Sequence, residues 1–463
     1  MTRTQTYIQH IYADTMNDNN IEKQIVAAAH DAYACWEDLR RRRSRYKRFT
    51  YGDQWGDMVR DSRGALVREG DLMAAGGRQP LTNNLIRRLV KTIVGRWRNI
   101  AAEDRRYDGQ APEARLNSLP ELDARMLEEF LISGCAVQRV AREYRAASGT
   151  AVWVDNVSPR DFFVNAFRDP RGRDIRLVGM LHEMTPVELA ARFASGDAAA
   201  LSSLLRRARA IAGGGDGSVP CGTLSQDRDA GDFMHARPGY CRVLEVWTLD
   251  SAAGADGASI GMGWHCRWLL PDGTLLDGYN SPWAHGSHPF AVKFYPLTDG
   301  EVHSFVEDVV GQQKYINRLI VLIDKMMGAS AKGVLLFPMT QKSPQVSWEE
   351  IADRWSRADG VIPVTGRSGL MPTQVCGNGA DAGAHKLLSL ELKLFEDVSG
   401  VSNALLGQSS GGTGGAGLFD AQVRNSTIAL ADIFETFEAF LADRDSRILG
   451  CRAAAPGVLR PNT

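Results

Sequence analysis

Long apolar runs are missing from this sequence of 463 residues. Since a membrane-spanning helix needs about eighteen or more consecutive apolar residues, no such helix is predicted. The first ten residues, MTRTQTYIQH, lack the apolar core that a secretory signal peptide requires. We therefore expect a protein that is made in a cytoplasm and does not associate with a membrane.

Paired cysteines and an excess of one charge are also missing. The seven cysteines are scattered and form no CxxC pair, which indicates free thiols rather than a disulfide framework or a zinc site. The formal net charge is -1 and the pI about 6.8. This balance argues against a protein that grips nucleic acid over its whole surface, so any contact with DNA is expected to be local or weak.

The common signatures of enzymes are absent. The sequence contains no GxxxxGK[ST] phosphate loop, no HExxH zinc motif and no GxSxG nucleophile elbow. His285 and His288 lie three residues apart and His182 precedes Glu183, but neither group has a third metal ligand at a suitable spacing. We expect no catalytic residues, no metal site and no cofactor.

A basic cluster leaves one enzymatic alternative open. The cluster contains Arg40, Arg41, Arg42, Arg43, Arg45, Lys47 and Arg48. On a helix, such a cluster is more often a solvated face or a salt-bridge surface between subunits than a nucleic-acid site. The alternative is a metal-dependent DNA-processing enzyme, in which this cluster would grip the substrate and carboxylates would bind the metal.

The first 300 residues show mixed helical and strand patterns. Apolar spacing predicts helices over Ile21–Arg48 and Leu119–Val140, and Asn83-Asn84 would cap another helix that begins at Leu85. Strand patterns cover Ala151–Val157, Asp161–Asn165, Tyr240–Leu249 and Trp264–Leu270. The last of these ends in a Pro271-Asp272-Gly273 turn before Leu275-Leu276, which predicts a hairpin. Ile211–Arg237 is rich in small polar residues and predicts a loop or insertion.

The remaining residues predict long helices with a small α/β segment between two of them. Phe305–Ala329 carries a broad apolar stripe, Gly333–Val375 has mixed character, and Asp381–Phe395 is again helical. Gly407–Gly417 has the composition of a flexible linker, and a last helix follows over Leu418–Leu449. The predicted fold class is therefore α+β and mainly helical.

Several segments, taken in order, resemble podophage-type portal proteins, the head-to-tail connectors of tailed bacteriophages. They are RFTYGDQW at 48–55, RQPLTNNLI at 78–86, VSP at 157–159, EVW at 245–247, HPF at 288–290, VVGQQKYIN at 309–317 and GVS at 400–402. The resemblance implies an α/β wing over 1–300 with the insertion 211–237, a first stem helix at 301–331 and a clip at 332–380. It also implies a second stem helix at 381–404, a tunnel loop at 405–417, a long wing helix at 418–449, and a short tail at 450–463 with the crown reduced or absent.

The same resemblance implies a non-enzymatic function in the virion. The protein would form a homododecamer at one capsid vertex, as a channel for packaging and ejecting double-stranded DNA without sequence recognition. Its partners would be the terminase large subunit, the major capsid or scaffolding protein, and tail or adaptor proteins. The DNA-channel loop would contain Gln408, Ser409, Ser410, Gly411, Gly412, Thr413, Gly414 and Gly415, and Lys314, Arg318 and Lys325 would face the lumen or a neighbouring subunit. A different connector subunit of a virion is a further alternative.

Overall fold

A computed structural model describes residues 18–108, 111–145, 149–193, 202–207, 231–253, 260–330, 334–356, 362–365, 371–375, 380–401 and 428–453. It is mixed α+β, with about 50% helix and 22% strand, and this confirms the predicted class. The tunnel-loop segment 405–417 and residues 454–463 of the predicted tail lie outside the described residues.

The principal helices and the strands alternate along the chain. The helices are α1 (Asp18–Ala34), α2 (Glu37–Tyr51), α3 (Glu69–Ala75), α4 (Leu85–Glu103), α5 (Ala111–Leu116), α6 (Leu119–Ser133), α7 (Pro186–Phe193), α8 (Phe305–Ser330), α9 (Trp348–Ser356), α10 (Ala380–Ser399) and α11 (Ala431–Ala453). The strands are β1 (Met58–Arg60), β2 (Leu66–Arg68), β3 (Cys135–Arg145), β4 (Gly149–Asn156), β5 (Phe162–Val164), β6 (Leu177–Met184), β7 (Cys241–Ala253), β8 (Ile260–Leu269), β9 (Leu275–Asn280), β10 (Phe290–Phe294), β11 (Val334–Leu336) and β12 (Thr373–Val375).

The chain divides into two compact units. The first unit comprises Met1–Tyr51, Arg87–Asp308 and Val401–Thr463. It contains a three-stranded sheet in the order β10-β3-β4 and a five-stranded sheet in the order β5-β6-β7-β8-β9, and every pairing is antiparallel. Helix α11 packs on β3 and β10, and α1 packs on β5 and β6. Buried side chains such as Trp247, Trp268 and Phe290 form its main core.

The second unit comprises Gly52–Ile86 and Val309–Gly400. It contains the β1–β2 hairpin, α3, most of the long helix α8, the short β11–β12 pair, α9 and α10. The 26 residues of α8 would extend about 39 Å at 1.5 Å per residue. The order of long helix, small α/β segment and second helix agrees with the sequence patterns, although α10 ends at Ser399, before Gly400 at a φ of 66°.

The prediction of one helix over Ile21–Arg48 was wrong, because the chain breaks between α1 and α2 at Trp36. The indole of Trp36 packs edge-on against Phe294, with ring centroids 4.7 Å apart, and its Nε1 donates to the carbonyl oxygen of Val164 at 2.9 Å. The amide of Trp36 bonds to the carbonyl oxygen of Tyr33 rather than four residues back. These distant contacts of the indole accompany the bend in the helix.

The prediction of a helix over Leu119–Val140 was also wrong beyond Ser133. Gly134 adopts the left-handed conformation, with a φ of 72°, and ends α6 with its amide bonded to the carbonyl oxygen of Phe130. The following residues form β3, whose first seven positions are buried. A continuous apolar run does not distinguish a buried helix from a buried strand, so the pattern alone was ambiguous.

Of the two irregular segments predicted beside the core, only the C-terminal tail needs correction. The loop or insertion 211–237 is described only from Gly231 onward, and there Phe233 is buried in a core with Tyr33 and Phe163. The predicted irregular tail from Gly450 is wrong up to Ala453, since these residues complete α11. The side chain of Cys451 is fully buried and belongs to the main core, which explains why the helix continues.

Candidate functional site

Three of the segments that carry the resemblance meet inside the second unit, in a network of three buried carboxamides and the half-buried Asn84. We call Gln54, Asn84, Gln313 and Asn317 the amide lattice. Gln54 donates from Nε2 to Asn84 Oδ1 at 3.1 Å and accepts from Asn317 Nδ2 at 2.5 Å. Gln313 Nε2 donates to Asn317 Oδ1 at 3.1 Å. The lattice thus connects YGDQW, LTNN and GQQKYIN through uncharged hydrogen bonds.

The lattice also supplies the cap of helix α4. The oxygen Oε1 of Gln313 accepts the amides of Leu85 at 2.9 Å and of Ile86 at 3.3 Å. Its Nε2 donates to the carbonyl oxygen of Asn83 at 2.7 Å. Because the first amides of a helix have no partner within the helix, one remote glutamine satisfies groups that we expected Asn83-Asn84 to cap.

An ionic cluster of Asp57, Glu69, Lys314 and Arg318 lies on the same helix as the lattice. Lys314 Nζ is 2.9 Å from both Asp57 Oδ2 and Glu69 Oε2, and Arg318 donates twice to Glu69 Oε1, at 2.5 and 3.1 Å. Burial would raise the pKa of Glu69, but hydrogen bonds from Arg318 and Lys314 outweigh it and lower the pKa below its usual value. The carboxylate of Glu69 is therefore ionised at neutral pH.

The three stem residues selected from the sequence have different environments. The Lys314 side chain is largely covered, and its charge is balanced by two carboxylates within the chain. Arg318 is bound to Glu69 but stays half exposed, and Lys325 is exposed. Tyr315, Arg318, Leu322 and Lys325 are three or four residues apart and form one exposed face of α8. The loop residues Gln408–Gly415 lie outside the described residues.

The basic cluster of α2 is used largely within the first unit. Arg43 makes two short hydrogen bonds to the carboxylate of Glu129, at 2.6 and 2.7 Å. Arg40 is buried, donates to the carbonyl oxygen of Tyr33 at 2.7 Å and stacks over its ring. Arg42 pairs with Glu307. Part of the basic cluster therefore has partners within the chain, and these residues need no nucleic acid to balance or bind them.

The histidines that the sequence raised as metal ligands lie in the first unit, where their ring nitrogens contact other protein groups. His182 Nε2 lies 2.8 Å from Glu245 Oε2, in a salt-bridge network of the first unit. Burial lowers the pKa of His285 to about 4 and holds the pKa of His288 well below its usual value, so both rings are neutral at pH 7. Within the described ranges, no three His, Cys, Asp or Glu side chains are grouped so that they could hold a metal ion.

Exposed apolar side chains are the second notable feature of the second unit. Of the large apolar side chains exposed in the described part of the chain, more than half lie there. They include Met58, Leu66, Leu72, Tyr315, Leu322, Met327, Leu336, Met339, Trp348, Val364, Met371, Leu390, Leu394 and Val398. Helical spacing alone does not separate the exposed positions on the helices from the core stripe, because it does not say which flank of a broad stripe is covered.

Comparisons with known proteins add no assignment. No family model matches the chain, and no curated protein is significantly similar to it. None of the helices in the described ranges combines the length and the apolar character that crossing a membrane requires.

Proposed function

We propose that this protein is a portal subunit of a tailed bacteriophage. Copies of the chain would form a ring, expected to be twelve-fold, at one vertex of the capsid. The ring would be the channel through which double-stranded DNA is packaged and ejected. It would dock the terminase large subunit and later the tail or head-completion proteins, with ATP hydrolysis belonging to the terminase.

One observation carries the proposal beyond the resemblance. Helices α8 and α10 enclose a small α/β segment, and both expose large apolar side chains at helical spacing. Leu322 is 48% exposed and Leu390 51% exposed. Large apolar side chains repeated along exposed helix faces are typical of sites of association, and repeated copies around an axis could cover them with different surfaces of the same chain.

The charge distribution suits a passage rather than a DNA clamp. Each Lys or Arg that contacts a phosphate releases counterions and adds affinity, which would slow a sliding duplex. The positive charge of Lys314 is balanced by Asp57 and Glu69, and the segment 405–417 contains neither Lys nor Arg. A weak, non-specific contact with DNA is consistent with both features.

Electron microscopy of the purified protein, with mass determination on the same sample, tests the proposal. We expect rings with a central hole and a mass near twelve subunits. Leu322→Asp should convert rings into smaller species, because a buried carboxylate at the interface is costly. Leu275→Asp is the matched control, since Leu275 is equally exposed, at 47%, but lies on β9 of the first unit.

The opposite results would favour the alternatives. A wild-type protein that remains a compact monomer at high concentration would contradict the portal assignment. Metal-dependent cleavage of duplex DNA by that monomer would instead support the DNA-processing enzyme.

Shortening the glycine-rich loop by removing Ser409–Gly415 provides a separate prediction. If the loop lines the channel, rings should still assemble, while particles carrying the variant should package or retain less DNA. Ring formation and DNA content per particle are measured on the same preparation. Failure of ring assembly would show that the loop has a structural role instead.

A further inference from the structure

The apolar face of α8 does not by itself define where the helix sits along its axis. Val309, Gln313, Asn317 and Val321 are spaced by four residues and follow one another along a buried face. A helix that packs through an apolar face can shift along its axis by one turn, about 5.4 Å, and still place apolar side chains against its neighbours. At Gln313 and Asn317, such a slide would separate buried hydrogen-bond partners.

The contacts of the amide lattice depend on register. After a slide of one turn, a valine would stand where Gln313 caps Leu85 and Ile86, or where Asn317 meets Gln54 and Asn83. Buried amides left without partners cost free energy, whereas valine packed against apolar neighbours costs little. Gln54, Gln313 and Asn317 are each at most 1% exposed, so water does not replace the lost partners.

We propose that the amide lattice is a register lock for the long helix, which selects one axial position among alternatives that the apolar stripe alone would accept. The lattice residues are positioning residues and touch no ligand in this role. Buried polar side chains are known to specify register where apolar packing is degenerate. The consequence for assembly rests on the proposed function: identical copies close into a uniform ring only if every long helix has the same register.

Distance measurement between two spin labels tests the lock directly. One label is placed on Asp71→Cys of α3 and the other on Lys325→Cys of α8, two residues of the second unit that are exposed. The background replaces the exposed Cys35, and Cys221 and Cys376, with serine, and the other cysteines are buried. Labelled full-length chain is mixed with excess unlabelled chain so that only distances within one chain are recorded.

We expect a single narrow distance in the otherwise unchanged protein. The double variant Gln313→Leu with Asn317→Leu should show a second population, displaced by up to about one helical turn. Ile316→Val is the control, since Ile316 is buried beside the lattice but makes none of its hydrogen bonds. This control should lower the midpoint of thermal unfolding without adding a second distance.

A folded double variant with one unchanged distance would overturn the proposal. If the double variant does not fold, Asn317→Leu alone is measured in the same way, because Gln313 then still caps α4 and a minor second population is expected. One unchanged distance in this folded single variant would likewise overturn the lock. If the wild type is monomeric and the double variant still shows the second distance, the lock stands and only its consequence for the ring is rejected.

Discussion

Replacing Arg139 with methionine is expected to lower the free energy of unfolding by about 3–5 kcal/mol at neutral pH. Arg139 on β3 donates from Nε to both carboxylate oxygens of Glu245 on β7, at 3.2 and 3.0 Å. The Glu245 side chain is fully buried and that of Arg139 is 7% exposed. The substitution therefore leaves a buried carboxylate without its main countercharge, while the methionine keeps most of the volume.

The other contacts of Glu245 do not compensate for the lost cation. Trp247 donates from Nε1 to Glu245 Oε1 at 2.9 Å, and His182 Nε2 lies 2.8 Å from Oε2. These bonds remain in the variant, but neither partner carries a fixed positive charge. Arg139 also pairs with Glu143 on the same strand. Its bonds to Glu245 link β3 of the three-stranded sheet to β7 of the five-stranded sheet, so its loss disturbs that connection.

The effect of this substitution should depend on pH with a defined sign. Burial would raise the pKa of Glu245, but Arg139 and the hydrogen bond from His182 outweigh it and hold the pKa well below 4.5. A depressed pKa stabilises the wild type above about pH 4.5, and this contribution is lost as the pH falls. In the variant, burial dominates and protonation favours the folded state. The difference in the free energy of unfolding between the wild type and Arg139→Met should therefore narrow from pH 7 towards about pH 4.5.

Urea unfolding of four proteins completes this prediction: wild type, Arg139→Met, Glu245→Gln and the double variant. All are measured at one protein concentration, since association would add to the apparent stability. Removing both charges should cost less than the sum of the two single losses, because no unpaired buried charge remains. Strictly additive losses, or a difference that does not change with pH, would contradict the assigned role of the pair.

Local patterns predicted the elements of this fold well where one face of an element is exposed. The stripe of Phe305–Ala329 matches α8 almost residue for residue, and the turn at Pro271-Asp272-Gly273 lies between β8 and β9 as expected. The failures occurred where a distant contact decides the outcome. The chain bends at Trp36 because its indole reaches Phe294 and Val164, and no window of neighbouring residues contains that information.

The candidate site was predictable only as a set of segments. YGDQW, LTNN and GQQKYIN were recognised as motifs, yet no spacing rule says that Gln54, Asn84 and Gln313 share one hydrogen-bonded network across more than 200 residues. Lys314 was selected for its charge, whereas its partners Asp57 and Glu69 flank the short β1–β2 hairpin, a segment in which no periodic pattern was found. Charge on a helix is visible in a sequence, but its neutralisation is a tertiary property.

Replacing Gly134 with alanine is expected to lower the free energy of unfolding by about 2–5 kcal/mol. Gly134 has a φ of 72°, which an alanine adopts at a cost. An added Cβ would also lie 2.8 Å from the carbonyl oxygen of Tyr295 and 2.8 Å from Val302 Cγ1, both closer than ordinary contact. Backbone cannot yield as a flexible side chain does, so crowding adds to the conformational cost.

Gly149→Ala separates these two costs. Gly149 has nearly the same φ, 74°, but no described atom lies within 4 Å of its added Cβ. The variant Gly149→Ala should lose only about 1–2 kcal/mol of the free energy of unfolding, which is the cost of the left-handed conformation. Equal losses in the two variants would mean that the segments around Tyr295 and Val302 move aside, so that the end of α6 would depend on the backbone angle alone. A larger loss at Gly134 would show that the turn from α6 into β3 is fixed by close packing, which a sequence pattern does not record.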